Sequence, residues 1–205
     1  MEILTGAGRA RVLAGEPAGQ ARFLLVLTHG AGGGPETADV LATRRAGLEH
    51  SGVVALVTQP YRVAGGRAPG SAVRQDAAWL EIVAALRADY PGLPLIQGGR
   101  SNGARVACRT AVAAGAVAVI ALAFPLHPPG KADQPDKSRA GELRSAGVPV
   151  LVINGESDPF GIPAAEDADR LVVLPGETHS LSRHPAAVTA AVASWLASGS
   201  GRGWY

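Results

Sequence analysis

The sequence predicts an α/β fold: a mostly parallel, doubly wound sheet with helices on both faces. Three observations carry this reading. Six short apolar runs are continuous rather than alternating, the pattern of strands covered on both sides. The segments between them place apolar residues at helical spacing. The two kinds of segment alternate through most of the chain, and that order builds a parallel sheet.

In chain order, the N-terminal "ILTGAGRARVLAG" is expected to add one or two antiparallel edge strands. The apolar runs are "FLLVLT" (Phe23 to Thr28), "VVALVT" (Val53 to Thr58), "LPLIQ" (Leu93 to Gln97), "VAVIALAF" (Val117 to Phe124), "VPVLVI" (Val148 to Ile153) and "LVVL" (Leu171 to Leu174). Trp79, Ile82, Val83 and Leu86 fall on one helical face. "ARVACRTAVAA" is a further helix, and Gly115 turns the chain into the strand that follows. Val188, Val192, Trp195 and Leu196 make the last stripe, opened near Pro185 and stopped near Gly199. The segment between Phe124 and Val148 is short and polar, so a loop with one short helix is expected there and no full cap domain.

The length of 205 residues fits a single domain over 1–205, with about 199–205 as a loose tail. Nineteen Lys and Arg against seventeen Asp and Glu leave a net charge of +2, so no strong field points at nucleic acid or anionic lipid. Aromatic residues at 4% do not make a stacking platform for single strands. One cysteine, Cys108, excludes a disulfide framework and a thiolate metal cluster within one chain. The most apolar stretch, Ala111 to Phe124, is shorter than the roughly 18 residues a membrane span needs. The N-terminus carries no apolar leader, and a cytoplasmic location is expected.

In a sheet of this kind, function gathers in the loops beyond the carboxyl ends of the strands. The loop after Thr28, "HGAGGGPE", is not a dinucleotide fingerprint, because a G-x-G-x-x-G begun at Gly30 would need glycine where Pro35 stands. No Gly-Lys-Ser/Thr follows it, so it is not a phosphate-binding loop of that type either. It reads as a bend whose N–H groups face a pocket. After Gln97, Gly99-Arg100-Ser101-Asn102-Gly103 is G-x-S-x-G between a strand and a helix. A serine on that sharp turn projects its hydroxyl above the sheet edge, and flanking glycines let adjacent segments pass without a clashing Cβ. The Asn102 N–H sits where the helix dipole favours negative charge.

A serine hydroxyl needs a base, and the base needs an orienting acid. The loops "NGESDPFG" and "PGETHSL" supply them in the order Ser, Asp, His. Asp158 is the expected acid, with Glu156 as the alternative, and His179 is the expected base. His29 is read as shaping its own loop, His50 as favouring a helix C-terminus, and His184 as a surface or capping residue. His127 in "FPLHPPG" is either a pocket-lining residue or plain loop structure. Cys108, inside a helix, is read as a core residue.

These pieces give the whole chain a resemblance to the α/β-hydrolase fold. More narrowly, it resembles small, capless bacterial hydrolases related to dienelactone hydrolase. The resemblance runs from about Phe23 to Leu196 and rests on "THGAGG", "PYR", "GGRSNGARVA", "FPLHPPGK", "NGESDPFG" and "THSL". It implies Ser101, Asp158 and His179 as a catalytic triad, and backbone N–H groups of Ala31 and Asn102 as an oxyanion hole. Methionine and glycine often follow the serine in that subset, where this chain has Asn102 and Gly103. The dienelactone enzymes use cysteine as nucleophile, so their specific activity does not carry over to Ser101.

The expected function is that of a serine hydrolase, carboxylic-ester-hydrolase-like, acting on a small-molecule acyl substrate without metal or organic cofactor. Tyr61, Phe124, His127 and Phe160 are the expected pocket lining. No nucleic acid or membrane partner is expected. The alternative class is a noncatalytic binding module on the same scaffold.

Overall fold

The computed structural model describes residues 1–131, 134–201 and 204. Its eight strands form one sheet: β1 (Glu2–Thr5), β2 (Gly8–Gly15), β3 (Phe23–Thr28), β4 (Gly52–Thr58), β5 (Leu95–Arg100), β6 (Ala116–Leu122), β7 (Val150–Gly155) and β8 (Arg170–Leu174). Their spatial order is β1-β2-β4-β3-β5-β6-β7-β8. The pairs β1–β2 and β2–β4 are antiparallel and the others parallel. Where one or two antiparallel edge strands were expected, the N-terminal segment forms two antiparallel strands, of which β1 is the edge and β2 lies between β1 and β4.

Among the described residues there are six α-helices, the first five between strands and the last after β8: α1 (Ala38–Glu49), α2 (Pro60–Val63), α3 (Ala72–Asp89), α4 (Asn102–Ala114), α5 (Ala140–Arg144) and α6 (Pro185–Gly201). The alternation of side chains along each strand divides the core in two. Leu24 and Val26 of β3 pack with Trp79, Ile82, Val83 and Leu86 of α3 and Val106 and Ala107 of α4. Phe23, Leu25 and Leu27 face the other way, onto Val40 and Ala46 of α1 and Val188, Val192, Trp195 and Leu196 of α6. Both helical stripes of the sequence are therefore buried on the sheet. Truncating Ile82, fully buried, to alanine would cost about 2–5 kcal/mol for transfer and cavity together.

One buried polar side chain fixes the helix that matters most. Gln97 of β5 accepts from Trp79 Nε1 at 2.9 Å and donates to the Ala107 carbonyl at 2.6 Å. A buried amide is tolerable only when paired in this way, and its partners lock α3 and α4 to the central strand. Helix α4 ends on Gly115 at φ 66°, the left-handed cap that a glycine adopts without a Cβ penalty.

Between β6 and β7 the chain makes a 3-10 turn at Pro135–Lys137 and the five-residue α5, and among the described residues no cap domain is inserted there. The expected tail falls partly outside the described residues, at 202, 203 and 205. Within them α6 continues to Gly201, and the Trp204 ring lies 4.7 Å from that of Trp195. Among the described residues no helix is long and apolar enough to cross a membrane.

Candidate active site

Four loops meet above the carboxyl ends of β3, β5, β7 and β8. The β5–α4 turn sets the geometry. Ser101 has φ 54° and ψ −112°, outside the regions a non-glycine residue ordinarily occupies. Such a conformation costs on the order of 1–3 kcal/mol and persists only where its surroundings enforce it. Here they do. The Ser101 N–H donates to the Leu122 carbonyl at 2.8 Å. A Cβ on Gly99 would lie 2.8 Å from the Thr28 carbonyl oxygen, and one on Gly103 would lie 2.8 Å from that of His29. The glycines either side of the serine are thus required by close passage of β3 and its loop.

Ser101 Oγ lies 3.0 Å from His179 Nε2, and His179 Nδ1 lies 2.9 Å from Asp158 Oδ2. A carboxylate only accepts, so Nδ1 carries the proton toward Asp158 and Nε2 presents its lone pair to the hydroxyl. The Asp158 side chain has no exposed surface, while that of His179 is 18% exposed. Asp158 Oδ1 accepts the Phe160 N–H at 2.9 Å, and Asn154 Nδ2 approaches Oδ2 at 3.3 Å. These bonds satisfy a buried charge and fix its rotamer. The Phe160 ring stands edge-on to the imidazole, 4.4 Å between centroids.

Glu156, the alternative acid, accepts the Gly176 N–H at 3.0 Å and so braces the loop that carries His179. It is exposed and makes no hydrogen bond with the imidazole, whose Nδ1 faces Asp158.

The loop after β3 is held from behind. The Gln59 N–H donates to His29 Nε2 at 3.0 Å, so the imidazole proton sits on Nδ1, which donates to the Gly30 carbonyl at 2.7 Å. Tyr61 Oη donates to the Ala31 carbonyl at 3.0 Å. In a trans peptide the N–H points opposite the carbonyl, so the Ala31 N–H is turned away from the His29 ring. Burial pushes the His29 pKa below its ordinary value and Arg62 adds to that, against the Gly30 hydrogen bond. Burial pushes the Tyr61 hydroxyl up to about 12.

Of the four residues expected around the pocket, Phe160 touches the His179 ring and Tyr61 holds the β3 loop. His127 is buried, its N–H donating to the Phe160 carbonyl at 2.9 Å. Phe124 has no exposed surface and belongs to the core beneath. A cavity of about 310 Å³ has Tyr61, Pro60, Ala64, Pro69 and Gln75 among its walls, and none of Ser101, Asp158 and His179. Gln75 Oε1 accepts from Asn102 Nδ2 at 2.7 Å, which links that cavity to the serine turn.

The remaining histidines lie apart. His50 Nδ1 bonds the Ala46 carbonyl at the end of α1, and the exposed His184 donates its N–H to buried Glu177 ahead of α6. Cys108 is fully buried, its thiol pushed up to about 12, first by burial and then by the Glu142 charge. Sequence reasoning missed Asn154, Glu177, Gln75 and the side chain of Arg100, which donates to the His179 carbonyl at 2.8 Å. Gln75 lies within α3, and Asn154, Glu177 and Arg100 stand inside the three motifs; a polar residue's type alone does not say which distant group it will meet.

A family model described as an alpha/beta hydrolase domain matches residues 21–182. No curated protein matches the chain. Among solved structures, Est1E from Butyrivibrio proteoclasticus superposes with a TM-score of 0.80 at 17% identity, covering 98% of each chain. XC6422 from Xanthomonas campestris, described as an α/β serine hydrolase without lid, gives a TM-score of 0.70 at 23% identity, covering 96% of this chain and 94% of its own. Dienelactone hydrolase from Anabaena variabilis gives 0.73 at 18%, covering 98% and 95%.

Proposed function

We propose that this chain, which belongs to the alpha/beta-hydrolase family, is a serine hydrolase acting on a small ester or similar acyl compound. The observation that carries the reading is the continuous relay from Ser101 Oγ through the His179 ring to Asp158, with hydrogen-bond separations of 3.0 and 2.9 Å. The lidless serine hydrolase among the similar structures supports the same reaction class.

The steps follow from the positions of the groups. His179 Nε2 takes the hydroxyl proton as Ser101 Oγ attacks the acyl carbon. The carbonyl π electrons move onto oxygen, and the N–H groups of Ala31 and Asn102 hold that oxyanion, the latter with the α4 dipole behind it. Removing one such donor in comparable sites costs about 10²–10³ in kcat. Asp158 stabilises the imidazolium. His179 then protonates the departing alcohol, leaving an acyl-serine. A water deprotonated by the same nitrogen attacks it, and the acid leaves with Ser101 restored. No step requires a metal or an organic cofactor.

Ser101→Ala tests the reading. The serine makes no core contact that alanine lacks, so the variant should fold. Hydrolysis of a short nitrophenyl ester should fall by several orders of magnitude. A folded variant as fast as wild type would remove Ser101 from the mechanism.

A further inference from the structure

We propose that Arg100 is a positioning residue for this reaction: its guanidinium, anchored on the buried carboxylate of Asp39, holds the main chain of His179 against the serine turn. The inference rests on the serine-hydrolase reading above and adds a part to it.

Arg100 directly precedes Ser101, so its backbone moves with the strained turn. Its side chain reaches three other segments. Nη2 donates to the His179 carbonyl at 2.8 Å, across 79 residues of sequence. Nε lies 3.1 Å from Oδ2 of Asp39, in the first turn of α1, as an ion pair whose angle is not that of a hydrogen bond. Nη1 passes the β3 loop so closely that a Cβ on Gly30 would stand 3.1 Å from it. The Asp39 side chain has no exposed surface and that of Arg100 only 17%, so the pair is little screened by solvent.

The chemistry explains why arginine stands there. The charge of a guanidinium is spread over a planar fork, so one residue can lie against the Asp39 carboxylate as an ion pair while another of its N–H groups donates to the His179 carbonyl. An ammonium is a single point charge and cannot reproduce that geometry. The grip falls on the backbone oxygen of His179, so it restrains where the ring sits and leaves Nδ1 and Nε2 free for Asp158 and Ser101. Asp39 cancels the charge of Arg100, which would otherwise oppose formation of an imidazolium nearby. Burial pushes the Asp39 carboxyl above its ordinary range, and Arg100 is the first of the groups that pull it back.

The test is Arg100→Lys, with kcat and KM measured on a short nitrophenyl ester at a temperature where thermal melting shows the variant folded. Lysine keeps the ion pair with Asp39 but loses the grip on His179. The expected result is a kcat lower by roughly ten- to a hundredfold, the scale of a small misplacement of a catalytic group, with KM little changed. A purely structural role predicts a lowered melting temperature and an ordinary kcat in the folded fraction. A kcat close to wild type, or a loss confined to KM, overturns the proposal. If Arg100→Lys does not fold, Asp39→Asn, which keeps the side-chain shape, is measured in its place; the same loss of kcat is expected, and a wild-type kcat overturns the proposal. A wild type with no hydrolysis, or a Ser101→Ala variant that keeps it, would instead overturn the underlying reading.

Discussion

His179 Nδ1 and Asp158 Oδ2 stand 2.9 Å apart, on loops that leave the neighbouring parallel strands β8 and β7. The pairing needs no long reach from either residue. Leu174 at the end of β8 is in register with Gly155 at the end of β7, and the Ser157 N–H donates to the Glu177 carbonyl at 2.9 Å. The two loops are stitched together by their backbones before either side chain is placed.

That stitching separates the roles of the two acids in "NGESDPFG". Asp158→Asn should keep the fold and lower kcat by roughly a thousandfold or more, because an amide can face Nδ1 with its own N–H and favour the wrong tautomer. Glu156→Gln retains an oxygen for the Gly176 N–H and should change kcat little. Steady-state kinetics on one short ester decides it, and the opposite ranking would pass the role to Glu156.

A second prediction concerns pH and folding. His29 is fully buried and neutral, its pKa below the ordinary 6.5 chiefly through burial. Below 6.5 the unfolded chain therefore takes up a proton that the folded chain refuses, so stability rises with pH across this window and is lost as pH falls toward the folded pKa. His29→Gln cannot gain that charge. Its melting temperature should be lower near neutrality but should decline less steeply below pH 6.5 than that of wild type. Equal slopes for the two proteins would show that His29 does not govern the acid limb.

A third concerns substrate size. Among the described residues the elements between β6 and β7 are a 3-10 turn and the five-residue α5, too small to build a deep apolar channel over the serine turn. A long acyl chain then stays largely in water and gains only part of the ~0.8 kcal/mol per methylene that full burial offers. Across a nitrophenyl ester series below micelle formation, kcat/KM should level off or fall beyond about butanoyl by this burial argument. A steady climb through octanoyl would make the 310 Å³ cavity beside Tyr61 and Gln75 an acyl channel.

Much of the fold was legible because the central strands are buried on both faces, and such strands must be apolar throughout. Strand β3 occupies the expected Phe23–Thr28 without adjustment. Strand β5 differs. It was expected at Leu93 to Gln97 and runs over Leu95–Arg100. Pro94 has no N–H for a ladder, so its apolar neighbour Leu93 does not extend the strand. At the other end Gly98 and Gly99 look like turn residues in sequence. They stay in the strand because Gly98 pairs with Leu27 and Ile120, and Gly99 with Thr28 and Ala121, with backbone so close that no Cβ fits.

The candidate site was legible where a motif ties residue type to local geometry, as at Ser101, and where strand order predicts which loops meet, as at Asp158 and His179. His29 was read as shaping its loop, and its bond to the Gly30 carbonyl is of that kind. The anchoring of Arg100 escaped notice because it depends on contacts far apart in sequence. Nothing local marks Asp39, an acid in a helical first turn, as the anchor of Arg100 sixty-odd residues later; the 3.1 Å between them exists only after β3, β5 and α1 have packed.

Fluorophosphonate labelling, read by mass spectrometry, tests the central claim most directly. The reagent phosphonylates only a serine that a neighbouring base activates, so it reports the working nucleophile without knowledge of the natural substrate. The account predicts one adduct per chain, on the peptide containing Ser101, and none in Ser101→Ala or His179→Ala. Folded wild-type protein that takes no label, as a noncatalytic module would, or that takes it equally well with Ser101 replaced, would contradict it.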